Sequence, residues 1–295
     1  MASVQVPGLK DTLRHYGQHA NQQVAIWEPA STSSNHGAQT RRFWVVYIHG
    51  GAWRDPRRTC HDFAPAVKLL AASDDAAAIC GYASIDYRLS ASEKFPQDPA
   101  HTPSSELRSA QHPDHLCDIY AAINLLAADY GLTRDYILIG HSAGATLAFQ
   151  LVMGPAALQG HHVPYQVPLP AAIIGLAGIY DLVAIGLRHG PEYMSFLRAA
   201  FGPDQHQWRR ASPALFPGSF KLQWPGATHA LLAWSKQDSL VDVAEIDAMT
   251  AKLKADEFDV AVNLDMKGDH DDMWHDGSQI APLVAQVIAR ENVSQ

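Results

Sequence analysis

Tyr136-Ile137-Leu138-Ile139-Gly140-His141-Ser142-Ala143-Gly144-Ala145 carries the strongest fold signal in the chain. A short apolar run stops at a glycine, a serine follows between small residues, and residues 145–153 resume with helical composition. A strand that passes into a helix through G-x-S-x-G is a nucleophile elbow. The tight turn strains the backbone and crowds its neighbours, so small flanking residues are needed. The Ser142 hydroxyl is then left exposed over the carboxyl end of a sheet. The competing reading is a glycine-flanked helix N-cap, with Ser142 accepting from a backbone N–H. Strand, turn and helix in this order favour the nucleophile.

Outward from the elbow, strands alternate with helices. Residues 43–48 form a continuous apolar run with β-branched and aromatic content, ending in His49-Gly50-Gly51. Buried parallel strands have this composition. Further strands are expected at 23–27, 78–85, 171–176, 230–234 and 260–264, and helices at 63–72, 116–130, 243–255 and 279–290. In 116–130, Leu116, Ile119, Tyr120, Ile123, Leu126 and Ala127 share one helical face. Residues 31–40 and 92–113 read as loops, the second long, polar and proline-rich. Residues 186–226 are aromatic and irregular, and are expected to form a cap of short helices over one end of the sheet. The alternation predicts an α/β fold with a mostly parallel sheet flanked by helices. At 295 residues, length alone suggests about two domains. The strand pattern runs through both proline-rich stretches, however, so one domain over 1–295 fits better.

A serine hydroxyl needs a base to take its proton and a carboxylate to orient that base. Behind a G-x-S-x-G elbow the chain order is serine, acid, histidine. Asp238 sits just past the strand at 230–234 and is the expected acid. Asp242 is the alternative, but an acid at the next helix start has an ordinary capping role. In Gly268-Asp269-His270-Asp271-Asp272-Met273-Trp274-His275, His270 lies nearer the strand end, after a glycine that permits a sharp turn. It is the expected base, with His275 second. Asp269, Asp271 and Asp272 around it are expected to favour the imidazolium. The same cluster is the best alternative metal site. Adjacent residues on a short loop seldom point the same way, so no metal is assigned. His112-x-x-His115 and His161-His162 are weaker still.

His49-Gly50-Gly51-Ala52-Trp53 follows the first long strand and matches the H-G-G-G class of oxyanion motif, with Ala52 in the third glycine's place. Gly50, Gly51 and Ala52, with Ala143 after the serine, are the expected oxyanion-hole residues. His49 and Trp53 complete the motif.

Composition closes off other classes. Lys and Arg number 22 against 30 Asp and Glu, a formal charge of −8 that argues against nucleic acid. No apolar run is long enough for a membrane span, and the first residues lack the pattern of a secretory signal. Cys60, Cys80 and Cys117 make neither a disulfide framework nor a C-x-x-C zinc knuckle. A cytoplasmic enzyme without a cofactor is the expectation. The 16 histidines do not choose between metal, acid–base and surface roles by number alone.

His49-Gly50-Gly51-Ala52-Trp53, Asp86-Tyr87-Arg88-Leu89 with Phe95-Pro96 downstream, and Gly140-His141-Ser142-Ala143-Gly144 together resemble the esterase/lipase branch of the α/β-hydrolases related to hormone-sensitive lipase. Within it, the chain is similar to the kynurenine formamidases (arylformamidases) of fungal type over residues 20–280. Esterases usually keep a glycine where Ala52 stands, which leans towards the formamidases. The resemblance implies hydrolysis of N-formyl-L-kynurenine to L-kynurenine and formate, in tryptophan breakdown feeding NAD synthesis. A short-acyl carboxylesterase with the same triad is the alternative, and a catalytically silent binding protein the third reading. The implied partner is a small aryl formamide, with no nucleic acid and no membrane, and a homodimer is compatible. Trp53 and aromatic residues of 186–226 are candidates to line an aryl site, with core packing the competing role for each. Arg88 and Glu192 are candidates for the amino-acid end, although structural hydrogen bonds are the stronger reading for Arg88.

Overall fold

Strands that are apolar along their whole length are stable only where both faces are covered. The computed structural model describes residues 5–30 and 41–293, so the loop expected at 31–40 lies outside the described residues. Its strands are β1 (Leu9–His15), β2 (Gln23–Pro29), β3 (Phe43–Ile48), β4 (Ile79–Ile85), β5 (Tyr136–His141), β6 (Ala172–Leu176), β7 (His229–Ser235) and β8 (Val260–Met266). They form an eight-stranded sheet in the order β1-β2-β4-β3-β5-β6-β7-β8. β1, β2 and β4 pair antiparallel, and every pairing from β4 to β8 is parallel. All residues of β3, β5, β6 and β7 are buried. On the edge strand β8, Val262 and Leu264 remain exposed.

The helices are α1 (Ala64–Ala71), α2 (Asp114–Tyr130), α3 (Ala143–Met153), α4 (Pro155–Leu158), α5 (Leu182–His189), α6 (Pro191–Phe201), α7 (Gln205–Ala211), α8 (Phe220–Gln223), α9 (Val243–Ala255) and α10 (Ile280–Val293). The expected face of α2 is the buried one, carrying Leu116, Ile119, Tyr120, Ile123 and Leu126. The helix stops at Gly131, whose φ of +66° suits a left-handed C-cap. α3 is buried all round, as its uninterrupted apolar and small sequence requires. Residues 186–226, expected as a cap of short helices, hold the second half of α5, all of α6, α7 and α8, and a 3-10 turn at Pro213–Leu215.

One strand escapes a sequence reading. β1 is the polar run Leu-Lys-Asp-Thr-Leu-Arg-His, with no fully buried residue. An edge strand paired on one side needs no apolar run, and charges on it discourage further pairing.

Parallel pairing brings the strand ends together. Ile48 of β3 faces Gly140 of β5, and His141 faces Leu176 of β6. The loops after β3, β5, β7 and β8 therefore open on the same edge of the sheet. α3 leaves that edge in tight contact with β3: a Cβ on Gly144 would lie 2.2 Å from the Ile48 carbonyl oxygen and 2.6 Å from that of His49. Both obstacles are backbone and have little freedom to move. Gly144→Ala is expected to destabilise the fold by about 3 kcal/mol or more, read as a lower urea midpoint. An unchanged midpoint would show that the helix can back away from the sheet.

Candidate active site

Ser142 stands between β5 and α3 with φ +52° and ψ −120°. A non-glycine residue held there is strained, and surrounding contacts must hold it. Its N–H donates to the Leu176 carbonyl at 2.8 Å and its own carbonyl accepts from Ala145 N–H at 3.0 Å. The side chain lines a cavity of about 270 Å³ at the carboxyl edge of the sheet.

His270 lines the same cavity from the loop after β8. Its Nδ1–H donates to Asp238 Oδ2 at 2.9 Å, which leaves Nε2 for the cavity side. The Asp238 side chain is 0% exposed. Its other oxygen accepts from the Leu240 and Val241 N–H groups, each at 2.9 Å. A buried carboxylate held by two amides and an imidazole is fixed in place as an orienter. Among the described residues, Ser142 Oγ makes no hydrogen bond to His270; unliganded active sites often hold this contact loose until substrate binds.

The alternatives sit elsewhere. Asp242 is tied to the cap by Arg188 Nε and His189 Nε2, both at 2.8 Å. His275 is exposed in the turn before α10 and lies edge-on to Trp274. Gly268 has φ +80°, the turn that the base loop was expected to need. The acidic residues around His270 divide by role. The Asp269 carboxylate accepts from Ser239 N–H and Oγ–H and from His270 N–H, and Asp272 accepts from Asp269 N–H. Of the three, Asp271 alone lines the cavity.

The loop after β3, expected to form an oxyanion hole, is shaped from outside by Tyr87 of the Asp86-Tyr87-Arg88-Leu89 segment. Tyr87 Oη–H donates to the carbonyls of His49 and Gly50, both at 3.1 Å, and its ring stacks on His49 at 4.5 Å. His49 Nδ1–H also donates to Gly50 O at 2.9 Å. With those carbonyls held outward, Gly51, Ala52 and Trp53 follow at φ +92°, +49° and +58°. Gly51 suits this conformation, whereas Ala52 and Trp53 pay for it in strain. Gly51 and Ala52 line the cavity beside Ser142. Among the described residues, the N–H groups of Gly51, Ala52 and Ala143 have no protein acceptor. Gly50 packs directly behind: a Cβ there would lie 3.0 Å from Ser142 Cβ and 2.7 Å from His141 Nδ1.

Trp53 does not line the cavity. It is fully buried, edge-on to Phe201 at 4.9 Å and 6.1 Å from Phe196, so the packing role holds for it. The cavity's aromatic walls are Tyr193 and Phe196 of α6, with Phe95 from the long loop. Arg88 is structural, forked onto Asp118 through Nε and Nη2. Glu192 lines the cavity and accepts from Lys94 Nζ at 2.6 Å.

His141, within the elbow, has a part that its sequence position did not disclose. Its Nε2–H donates to the His270 carbonyl at 3.1 Å, and the two rings lie 4.5 Å apart. Burial pushes the His141 imidazole well below the ordinary histidine range. It is therefore neutral at pH 7 and adds no positive charge against an imidazolium on His270. His141, His270 and Asp271 also bring one ligand atom each within 4.8 Å. An ion held there would engage His270, whose Nδ1 is already committed to Asp238.

No helix among the described residues is long and apolar enough to cross a membrane. No family model matches the chain. It is 37% identical over 275 residues to a kynurenine formamidase-like hydrolase of Fusarium equiseti, covering 90% of this chain and 89% of that one. It is also 37% identical to a kynurenine formamidase of Aspergillus versicolor, covering 79% and 84%. The kynurenine formamidase of Saccharomyces cerevisiae is 30% identical, covering 81% and 87%. Among solved structures, esterase B from Lactobacillus rhamnosis superposes with a TM-score of 0.68 at 17% identity over 99% of this chain and 88% of that one. A carbohydrate esterase from gut microbiota gives 0.69 at 16% identity, covering 98% and 99%. These structures are α/β-hydrolases, and at such identities they bear on the fold alone.

Proposed function

The chain belongs to the kynurenine formamidase family and is a hydrolase, and from that premise we propose that it cleaves N-formyl-L-kynurenine to L-kynurenine and formate through Ser142, His270 and Asp238. The observation that carries this reading is the Asp238–His270 pair, with His270 lining the cavity that Ser142 also lines. The same cavity has a wall of Tyr193 and Phe196.

In this mechanism His270 Nε2 takes the Ser142 proton as Oγ attacks the formyl carbon. The carbonyl oxygen becomes an oxyanion and accepts from N–H groups of Gly51 or Ala52 and of Ala143. One such donor is worth about 3 kcal/mol in the transition state. The imidazolium, oriented by Asp238, gives its proton to the departing aryl amine. A water molecule then attacks the formyl-serine with His270 again as base; His270 returns that proton to Ser142 Oγ as the Oγ–C bond breaks, and formate leaves. A formyl group carries only hydrogen beyond its carbonyl, so it needs almost no acyl pocket. The aryl ring lies against the aromatic wall, and the substrate class places the reaction in tryptophan breakdown.

The competing reading is a short-acyl carboxylesterase using the same groups. Purified enzyme is expected to show a higher kcat/KM for N-formyl-L-kynurenine than for p-nitrophenyl acetate, butyrate or octanoate. A kcat/KM for the formamide below that for every ester would overturn the formamidase reading and favour the esterase.

A further inference from the structure

We propose that Arg54 is the anchor for a carboxylate on the leaving-group side of the substrate, so that the site selects aryl formamides bearing an anionic tail. This rests on the function proposed above and adds the residue that reads the far end of the substrate. Arg54 follows the oxyanion loop directly, and its N–H donates to the Gly51 carbonyl at 3.0 Å. The Arg54 main chain is thereby fixed beside the Gly51–Ala52 turn that flanks Ser142. The residue is only 9% exposed, yet it lines the cavity that holds Ser142 and His270.

Its partners mark it out from the other cations of the lining. Arg57 is paired with Asp55 at 2.6 Å, Lys94 with Glu192 at 2.6 Å, and Arg58 lies 3.9 Å from both Asp62 and Asp271. Arg54 has no carboxylate within 4.0 Å among the described residues. Its guanidinium makes a long hydrogen bond from Nη1 to Ser195 Oγ at 3.4 Å and lies over the Phe196 ring, 5.5 Å from its Cζ. Burial lowers its pKa from the usual arginine value, and the more distant carboxylates of Glu192, Glu93 and Asp55 offset only part of that loss. A guanidinium remains charged regardless, and buried charges are normally paired. The missing partner is best supplied by a ligand, and a carboxylate matches the fork of a guanidinium in two parallel hydrogen bonds.

The surroundings fit an amino-acid tail. Phe196 lies under the guanidinium and also lines the cavity, so an aryl ring on that wall would have its tail beside Arg54. Glu192 lines the same cavity and offers an acceptor to a neighbouring ammonium. The acids Glu192 and Asp55 are each held by another cation, which limits their repulsion of an incoming carboxylate.

The test compares N-formyl-L-kynurenine with N-formylkynuramine, which lacks only the carboxylate, in the wild type, Arg54→Met and Arg54→Lys. In Arg54→Met the preference for the carboxylate substrate in kcat/KM is expected to fall on the order of 100-fold, mostly through KM. Arg54→Lys is expected to recover part of it. Circular dichroism and p-nitrophenyl acetate turnover check that the variants are folded. An unchanged preference, or equal losses on both substrates in a folded variant, would overturn the assignment. If the wild type cleaves the ester but neither formamide, the proposed function fails, and competition decides Arg54 separately. Stronger inhibition of ester hydrolysis by L-kynurenine than by kynuramine, lost in Arg54→Met, would support the anchor. Equal inhibition by the two in the wild type would overturn it.

Discussion

Ser142→Ala is expected to lower kcat/KM by about 10⁵- to 10⁶-fold on any substrate the enzyme accepts, with the fold intact. The size of the effect follows from covalent catalysis. Without Oγ, neither His270 nor the oxyanion N–H groups have a nucleophile to serve, and only binding and polarisation of the carbonyl remain. Alanine removes one atom from a side chain that is 4% exposed and relieves no cavity wall, so unfolding does not account for the loss. An organophosphonate is expected to label the wild type at Ser142 with unit stoichiometry and to leave the variant unlabelled. Substantial activity in Ser142→Ala, on preparations free of wild-type protein, would remove the serine mechanism altogether. It would also return attention to His141, His270 and Asp271 as metal ligands.

Asp238→Asn is expected to cost about 10⁴-fold in kcat. The carboxylate accepts His270 Nδ1–H and thereby leaves Nε2 free to take the serine proton. An amide in its place can present N–H to Nδ1, which selects the wrong tautomer and forfeits the charge that stabilises the imidazolium. Two backbone N–H groups, of Leu240 and Val241, still find an acceptor in the amide oxygen, so the loop is expected to hold. Asp242→Asn is the control. Its carboxylate ties the cap to the helix start through Arg188 and His189, and its loss is expected to change kcat by less than about tenfold, in keeping with the modest worth of exposed pairs. A dead Asp242→Asn beside an active Asp238→Asn would reverse the two assignments.

The central strands and the two glycine motifs were legible because each depends on a local rule. A strand buried on both faces needs an unbroken apolar run, and a strand-to-helix turn around Ser142 needs small flanking residues. Chain order then narrowed the acid and the base to the ends of β7 and β8. β1 was not legible, since an edge strand obeys no such rule. Trp53 was ambiguous, because an aromatic residue beside an oxyanion loop can face either way. It packs beneath Phe196 and Phe201, and Phe196 and Tyr193 line the cavity instead. Tyr87 and Arg54 lay inside or next to quoted motifs, but nothing in their spacing disclosed their partners. The first shapes the oxyanion loop from the far side, and the second is distinguished by what it lacks.

The α/β class, the strand-to-helix turn at Ser142, the glycine loop at Gly50, Gly51 and Ala52, and the short lists from which Asp238 and His270 came could all be read along the chain. Those features are written in periodicity, small residues and order along the chain, all of them local. The three-dimensional contacts are what show that His270 meets Asp238 and not Asp242, that Tyr87 holds the carbonyls of His49 and Gly50, and that, among the described residues, Arg54 stands buried with no carboxylate within 4.0 Å. Each is a contact across the fold between residues on different loops. Parallel strands carry those loops to one edge of the sheet, where direction and distance, which no local pattern encodes, select the partners.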